Sequence, residues 1–467
     1  MYLILFFIFS ILLSSIAALV LHYSPKLQRV IIFTLVGLAG TAAMYTGVTI
    51  LLASRTVSYQ ISTTFPGISW QLMLDPLASF FLIIIGIVVL CAALSGPEYI
   101  SNHDKQRSLT SLYFFTGLFI ASMELVVLAH DVFTFMFAWE LMSVTSYFLV
   151  IHNHERATNR QAALIYLLMA QVSGLFILLA FSVLIKFTGS LNFTVWHNMQ
   201  ITPNVANFAF FLAFLGFGMK AGIVPLHIWL PKAHPVAPSH VSALMSGVML
   251  KIAVYGLIRL VFDLLRTIYW QWGAITLFIG TVSVLFGVLY ALMQHDLKTL
   301  LAYHSVENIG IIFSALGLSL IFSSTSHPLL AALGLIAALY YCLNHALFKS
   351  LLFLGAGVIS KYTYEHDLER MGGLIKKMPY TAVCFLIGCI SISALPPFNG
   401  FVSEWLFFQT ALQATILPSE VMRTLIPVTA AIIALTSALA SACFVKIYGC
   451  SFFRASTYPL YPTCSRS

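Results

Sequence analysis

Six residues that can bind or release a proton sit inside otherwise apolar stretches of this chain: Glu140, Lys220, Lys251, His345, Lys349 and Glu404. A charge near the centre of a bilayer costs about 2.5–3.5 kcal/mol even on a lenient scale. Together with Glu124, these groups must therefore be paired, hydrated or neutralised if the stretches lie in lipid. Burial weakens a lysine's hold on its proton, and a nearby carboxylate restores it. Motion of Glu140 toward or away from Lys220 would then switch the lysine between keeping and releasing a proton. Lys251 offers a second stop, and Glu404 a last buried carboxylate. Histidines, which titrate near neutrality, supply candidate relays at His227, His234 and His304, with Glu307 either a relay or a core hydrogen-bonding group. His345 and Lys349 lie one helical turn apart. His234 and His240 also read as caps at helix ends, and Asp75 and Asp131 as helix N-caps.

The elements that must hold these side chains are membrane helices. Apolar residues make up 60% of the 467 and charged residues 8%, against roughly 25% charged in a soluble domain. Mean hydropathy is +0.95, which excludes a soluble globular protein. The fold expected is all-α and polytopic, with about thirteen spans of the length that crosses ~30 Å of hydrocarbon. They run over 2–21, 30–53, 76–95, 110–129, 132–151, 161–186, 205–231, 239–262, 271–293, 300–322, 328–360, 380–417 and 424–446. The first run, Leu3 to Val20, lacks a basic start and reads as a retained span. With the N terminus outside, the outer loops hold Arg55, Lys186, Arg266 and Arg423. The inner loops hold most of the other cations, among them Lys26, Arg29, Lys105, Arg107, Arg156, Arg160, Lys298, Lys376, Lys377, Lys446, Arg454 and Arg466. That asymmetry places the C terminus inside. It also accounts for the formal charge of +8 without a nucleic-acid partner. The seven cysteines, Cys464 included, show no metal or cluster spacing. No phosphate-binding or dinucleotide glycine fingerprint is present either.

Two spans carry breakers. Span 7 contains Gly216-Phe217-Gly218-Met219-Lys220-Ala221-Gly222-Ile223-Val224-Pro225, and span 12 contains Ile392-Ser393-Ala394-Leu395-Pro396-Pro397-Phe398-Asn399-Gly400. Proline removes a helical donor and clashes with the preceding turn. Unwound backbone at membrane depth survives only inside protein or beside a wet cavity. Breaks five spans apart predict two five-helix repeats of opposite orientation, at approximately 110–262 and 271–446, within a membrane domain covering 1–448. Two ordinary proline kinks are the alternative. Residues 449–467 read as a short polar tail.

The segments LDPLASFF at 74–81, WELMSVTSYFLV at 139–150, KAGIVPLHIWLPKAHPVAPSHVSALMSGVMLK at 220–251, HSVENIG at 304–310, NHALFKSLLFLGAG at 344–357 and ISALPPFNGFVSEW at 392–405 are distinctive. Through them the chain resembles the antiporter-like proton-pumping subunits of respiratory complex I and of Mrp cation/proton antiporters. Within that family it is most similar to the branch of large membrane subunits of hydrogenase-4 and formate hydrogenlyase. The resemblance implies a fourteen-helix fold with inverted repeats and broken helices 7 and 12. It also implies roles in a proton path for Glu140, Lys220, Lys251, His345, Lys349 and Glu404. No redox centre is expected in this chain; iron–sulfur and nickel–iron centres would belong to partner subunits, among them a peripheral redox arm, beside other membrane subunits in the cytoplasmic membrane. Against the family pattern, the end after Lys446 reads as premature. A Na⁺/H⁺ exchanger of the Mrp type, or an inactive membrane scaffold, are the alternatives.

Overall fold

The structure, a computed structural model, describes residues 2–62, 69–100 and 109–453. Lys105, Arg107, Arg454, Arg466, Cys464 and most of the expected polar tail lie outside the described residues.

The chain divides into two compact units, Met1–Trp272 and Gly273–Ser467. The first contains helices α1 (Tyr2–Val20) and α2 (Pro25–Ala53), strands β1 (Val57–Ser62) and β2 (Ser69–Leu74), and then α3 (Pro76–Ile100), α4 (Leu109–Leu128), α5 (Val132–Val150) and α6 (Ala157–Thr188). It continues through the short α7 (Phe193–Asn198) to α8 (Pro203–Ala221), α9 (Leu230–Val236), α10 (Ser239–Leu244) and α11 (Leu250–Ile258). α12 (Trp270–Leu292) leads into the second unit, formed by α13 (Leu297–Ser324), α14 (Pro328–Thr363), α15 (Pro379–Ile392), α16 (Asn399–Ala411) and α17 (Glu420–Tyr448).

Among the described residues, ten helices are long and apolar enough to cross a membrane. Helices suit lipid because each satisfies its own backbone donors and acceptors. Their ends are set by local chemistry. Asp131 accepts the Thr134 amide at 2.8 Å to open α5, and Asp296 accepts that of Thr299 at 2.7 Å to open α13. Side chains without bulk bring helices together: a Cβ on Gly86 in α3 would lie 2.6 Å from the Gly40 carbonyl of α2. Such close approach is how helices associate where lipid offers no hydrophobic drive.

The all-α polytopic fold expected from the sequence is the one found, with one small addition: β1 and β2 form an antiparallel hairpin with Val57 opposite Leu74. In β2 Leu72 and Leu74 alternate inward, a period-two pattern six residues long that long apolar windows pass over. Span 8 is not one regular helix: π-helical turns occupy Met245–Met249 and Arg259–Leu265 on either side of α11. α17 is followed directly by a π-helical turn, Gly449–Phe453, so the first residues of the expected tail are helical.

Both expected breaks are present. α8 stops at Ala221 because Gly222 takes φ +85°, and α9 resumes only at Leu230. A side chain at Gly222 would also collide with Leu230, whose Cδ1 would lie 2.6 Å from the new Cβ. In the second unit α15 stops at Ile392 and α16 resumes at Asn399. Val224–Pro225 and Pro396–Pro397 are cis.

Candidate functional site

Lys220 occupies the last turn of α8, beside the break, and is 1% exposed. Its ammonium donates to Ser143 Oγ at 2.9 Å and to Tyr166 OH at 3.3 Å. It also lies 5.3 Å from the Tyr166 ring centre and 5.8 Å from that of Trp139, an arrangement that attracts a cation. Glu140 is only partly buried, and its Oε2 accepts from Gln171 Nε2 at 3.0 Å. The acid and the lysine are thus held on separate partners, the acid by an amide and the lysine by neutral hydroxyls. Gly174 on α6 makes room for the acid: a Cβ there would stand 2.1 Å from Glu140 Oε1.

The hydroxyls continue away from Lys220. Tyr166 OH shares a 2.5 Å hydrogen bond with Ser146 Oγ and reaches Met249 Sδ at 3.5 Å, in the first π-helical turn. Beyond that turn stands Lys251, fully buried, donating to the Ser246 carbonyl at 2.5 Å. π-helical turns widen a helix and recur at functional positions; here one presents a carbonyl to a buried ammonium.

The second unit holds its own set. His304 and Glu307, one turn apart on α13, are hydrogen-bonded through Nδ1 and Oε2, so Glu307 is partnered with a titratable group. Asn308 donates to the His304 carbonyl at 2.5 Å and accepts from Tyr341 OH at 3.0 Å. Tyr341 OH lies 3.5 Å from Glu404 Oε1, and Ser437 Oγ donates to Glu404 Oε2 at 2.7 Å. Asn344 on α14 and Asn399 at the start of α16, just after the break, exchange hydrogen bonds at 3.0 Å. Lys349, fully buried, donates to the Leu301 carbonyl of α13 at 2.5 Å, and the His345 ring packs 5.5 Å from that of Phe348.

The structure therefore holds Glu140 on Gln171 and Lys220 on Ser143 and Tyr166, pairs His304 with Glu307, and sets Glu404 at the end of the Asn308–Tyr341 chain. Lys251 and Lys349 instead each hold a backbone carbonyl. His227 lies in the unwound stretch after α8; His234, in the last turn of α9, and His240, at the start of α10, are both buried. Lys298, counted among loop cations, is buried in the first turn of α13. Glu124 is fully buried, with neither carboxyl oxygen hydrogen-bonded among the described residues. Ser143, Tyr166, Gln171, Gly174, Asn308, Tyr341 and Ser437 were not anticipated. Ser143 could have been found, since it follows Glu140 by three residues on one helix face; the others carry no local signal.

Residues 129–433 match the transmembrane family described as NADH:quinone oxidoreductase/Mrp antiporter. The chain belongs to this family. It is 41% identical to hydrogenase-4 component B of Escherichia coli K12 over 405 residues, 86% of this chain and 60% of that protein. It is 33% identical to formate hydrogenlyase subunit 3 of the same organism over 445 residues, 94% of this chain and 70% of that one. Its fold superposes on a chain of the Mrp complex from Dietzia sp. DQ12-45-1b with a TM-score of 0.83 at 24% identity, covering 100% of this chain and 82% of that one. The chain thus spans less than two thirds of the length of hydrogenase-4 component B. Glu140, Lys220, Lys251, His345, Lys349 and Glu404 all fall within the family segment, whereas the β-hairpin, Asp75 and Glu124 precede it.

Proposed function

We propose that this antiporter-like subunit moves protons across the cytoplasmic membrane within a hydrogenase-4-type oxidoreductase complex. In this reading electron transfer runs through iron–sulfur and nickel–iron centres of partner subunits in a peripheral redox arm, and further membrane subunits adjoin this one. The N terminus faces outside and the C terminus the cytoplasm. The five-helix repeats, 110–262 and 271–446, are inverted with respect to each other. One proline-broken helix in each supports that relation.

The observation that carries the reading is the environment of Lys220. A buried ammonium resting on two hydroxyls, with an acid parked nearby on an amide, is poised rather than locked. When Glu140 leaves Gln171 and approaches, its charge holds the proton on Lys220; when it returns, the proton is freed. Tyr166, which accepts from Lys220 and shares a hydrogen bond with Ser146, is the first link of the outgoing leg, and neutral Lys251 beyond the π-helical turn is the base that keeps the proton. In the second unit the His304–Glu307 pair and the Asn308–Tyr341–Glu404 chain supply a corresponding leg. His345, Lys251 and Lys349 are buried proton-bearing stops, and His227 and His234 are relays near the first break.

The test is Lys220→Ala in the assembled complex, reconstituted in vesicles with hydrogen or formate as donor. Loss of proton uptake with the complex intact is expected; unchanged uptake refutes the role. The family also includes Mrp antiporters, which keeps a Na⁺/H⁺ exchanger as the second reading. Proton flux that depends on Na⁺ with no electron donor present would favour it.

A further inference from the structure

One built polar cluster in the first unit lies outside this path. Arg259, at the head of the second π-helical turn, donates from Nη1 to Asp75 Oδ2 at 2.6 Å and from Nη2 to Asp75 Oδ1 at 2.8 Å. Nη1 also reaches Asp263 Oδ2 at 3.0 Å, while Nε and Nη2 lie 3.2 and 3.1 Å from Tyr255 OH. Tyr255 in turn donates to the Val127 carbonyl of α4 at 2.7 Å. On the far side, His197 Nδ1 lies 2.9 Å from Asp263 Oδ1. Side-chain exposure rises outward along this series, from 6% at Arg259 through 16% at Asp75 and 28% at Asp263 to 43% at His197. Lys251, Tyr255 and Arg259 recur every four residues, along one strip of the helix. The cluster therefore stands between a buried lysine and the surface.

Its chemistry is that of a stopper. A guanidinium stays charged in proteins, so it cannot relay a proton, and a fixed arginine in a passage is a barrier to protons and cations. A bidentate fork from Asp75 gives the barrier a defined position. The two carboxylates that hold it differ. Burial alone would raise Asp75, but the hydrogen bond and charge of Arg259, aided by the Ala78 amide, outweigh that and keep it below the usual carboxylate range. Asp75 is the fixed jaw. Asp263 is more exposed and already shares its other oxygen with a histidine.

We propose that Arg259, clamped by Asp75 and Asp263, is the gate of a proton outlet from the first unit, and that Asp263 and His197 form its release pair. The proposal rests on the proton-transport reading. When the guanidinium swings off Asp263, a proton from the Lys251 side crosses to that carboxylate, and the neutralised jaw cannot recapture the guanidinium until the proton has left. His197 takes the proton from the Asp263 carboxyl and gives it to solvent water, and the re-ionised Asp263 closes the clamp again. Nothing is consumed: one proton enters and one leaves.

The experiment uses the whole complex in proteoliposomes with a trapped pH-sensitive dye. Passive proton leak is driven by a potassium diffusion potential with valinomycin and no electron donor; driven transport uses hydrogen or formate. Asp263→Asn, at a half-exposed position, is expected to raise the leak at least threefold and lower net driven transport. His197→Gln is expected to leave the leak unchanged and slow driven transport at least threefold. A merely structural anchor would move neither quantity once the complex is assembled. Wild-type leak and wild-type transport in both variants would overturn the gate. If Asp263→Asn does not assemble, an unslowed His197→Gln overturns it alone. If the wild-type complex itself drives no protons, the transport reading fails and the gate falls with it; a pumping wild type with indifferent variants sinks the gate only.

Discussion

Gly174→Ala adds one methyl group and should nearly abolish the coupling between Glu140 and Lys220 while sparing the fold. The new Cβ would stand 2.1 Å from Glu140 Oε1 and 3.3 Å from its Cδ. An ordinary carbon–oxygen contact lies above about 3 Å, so the carboxylate must retreat by on the order of 1 Å. Its 3.0 Å bond from Gln171 then stretches past hydrogen-bonding range. A hydrogen bond to a charged group is worth about 1.5–3 kcal/mol net, and each 1.4 kcal/mol is roughly tenfold in an equilibrium constant. The balance between the parked and the approached acid should therefore shift by about 10- to 100-fold. The colliding atom is the end of a flexible side chain, and alanine is favoured over glycine in a helix by about 1 kcal/mol, so assembly should survive. Donor-driven proton uptake in vesicles, beside native gels of the complex, measures both. Wild-type uptake in an assembled Gly174→Ala complex would refute the idea that the parked position of Glu140 matters.

Tyr166→Phe removes one of the two hydroxyls on Lys220 and the first link of the relay; loss of one bond to a charged group, about 1.5–3 kcal/mol, predicts uptake slower by roughly 10-fold or more with normal assembly. Glu404→Gln keeps the shape that receives the Ser437 and Tyr341 hydroxyls but cannot carry a proton, so transport should stop while Glu404→Asp retains part of it; equal rates in both variants would count against a carrier role. His130, in the α4–α5 connection, is pushed below its usual 6.5, first by burial and then by the Arg259 charge, against the pull of Asp263, Asp75 and Asp131. Below about 6.5 the unfolded chain binds a proton that the folded one resists, so this contribution to stability is present above that pH and is lost as pH falls through the lower, folded value. Thermal melts in detergent should show His130→Asn, which preserves a polar partner for Thr194, flattening that acid-side decline; an identical slope would contradict it.

The helical membrane character was legible in composition because lipid permits few other solutions for a chain so apolar. The breaks after Ala221 and Ile392 were legible because proline's missing donor and glycine's positive φ act within a single turn. Glu140, Lys220, Lys251, Lys349 and Glu404 stood out since ionisable groups are costly in lipid wherever the fold takes them. Their partners were another matter. Tyr166 meets Lys220 across 54 residues, and Arg259 meets Asp75 across 184; no local pattern encodes such pairings. A charge in an apolar run announces that it must be satisfied, but which hydroxyl, carbonyl or carboxylate satisfies it depends on which helices pack side by side. That packing depends on small residues such as Gly174, whose importance lies in what stands opposite them. The chemistry of the groups was written along the chain, while their state, held, shared or clamped, was set only by the folded neighbours.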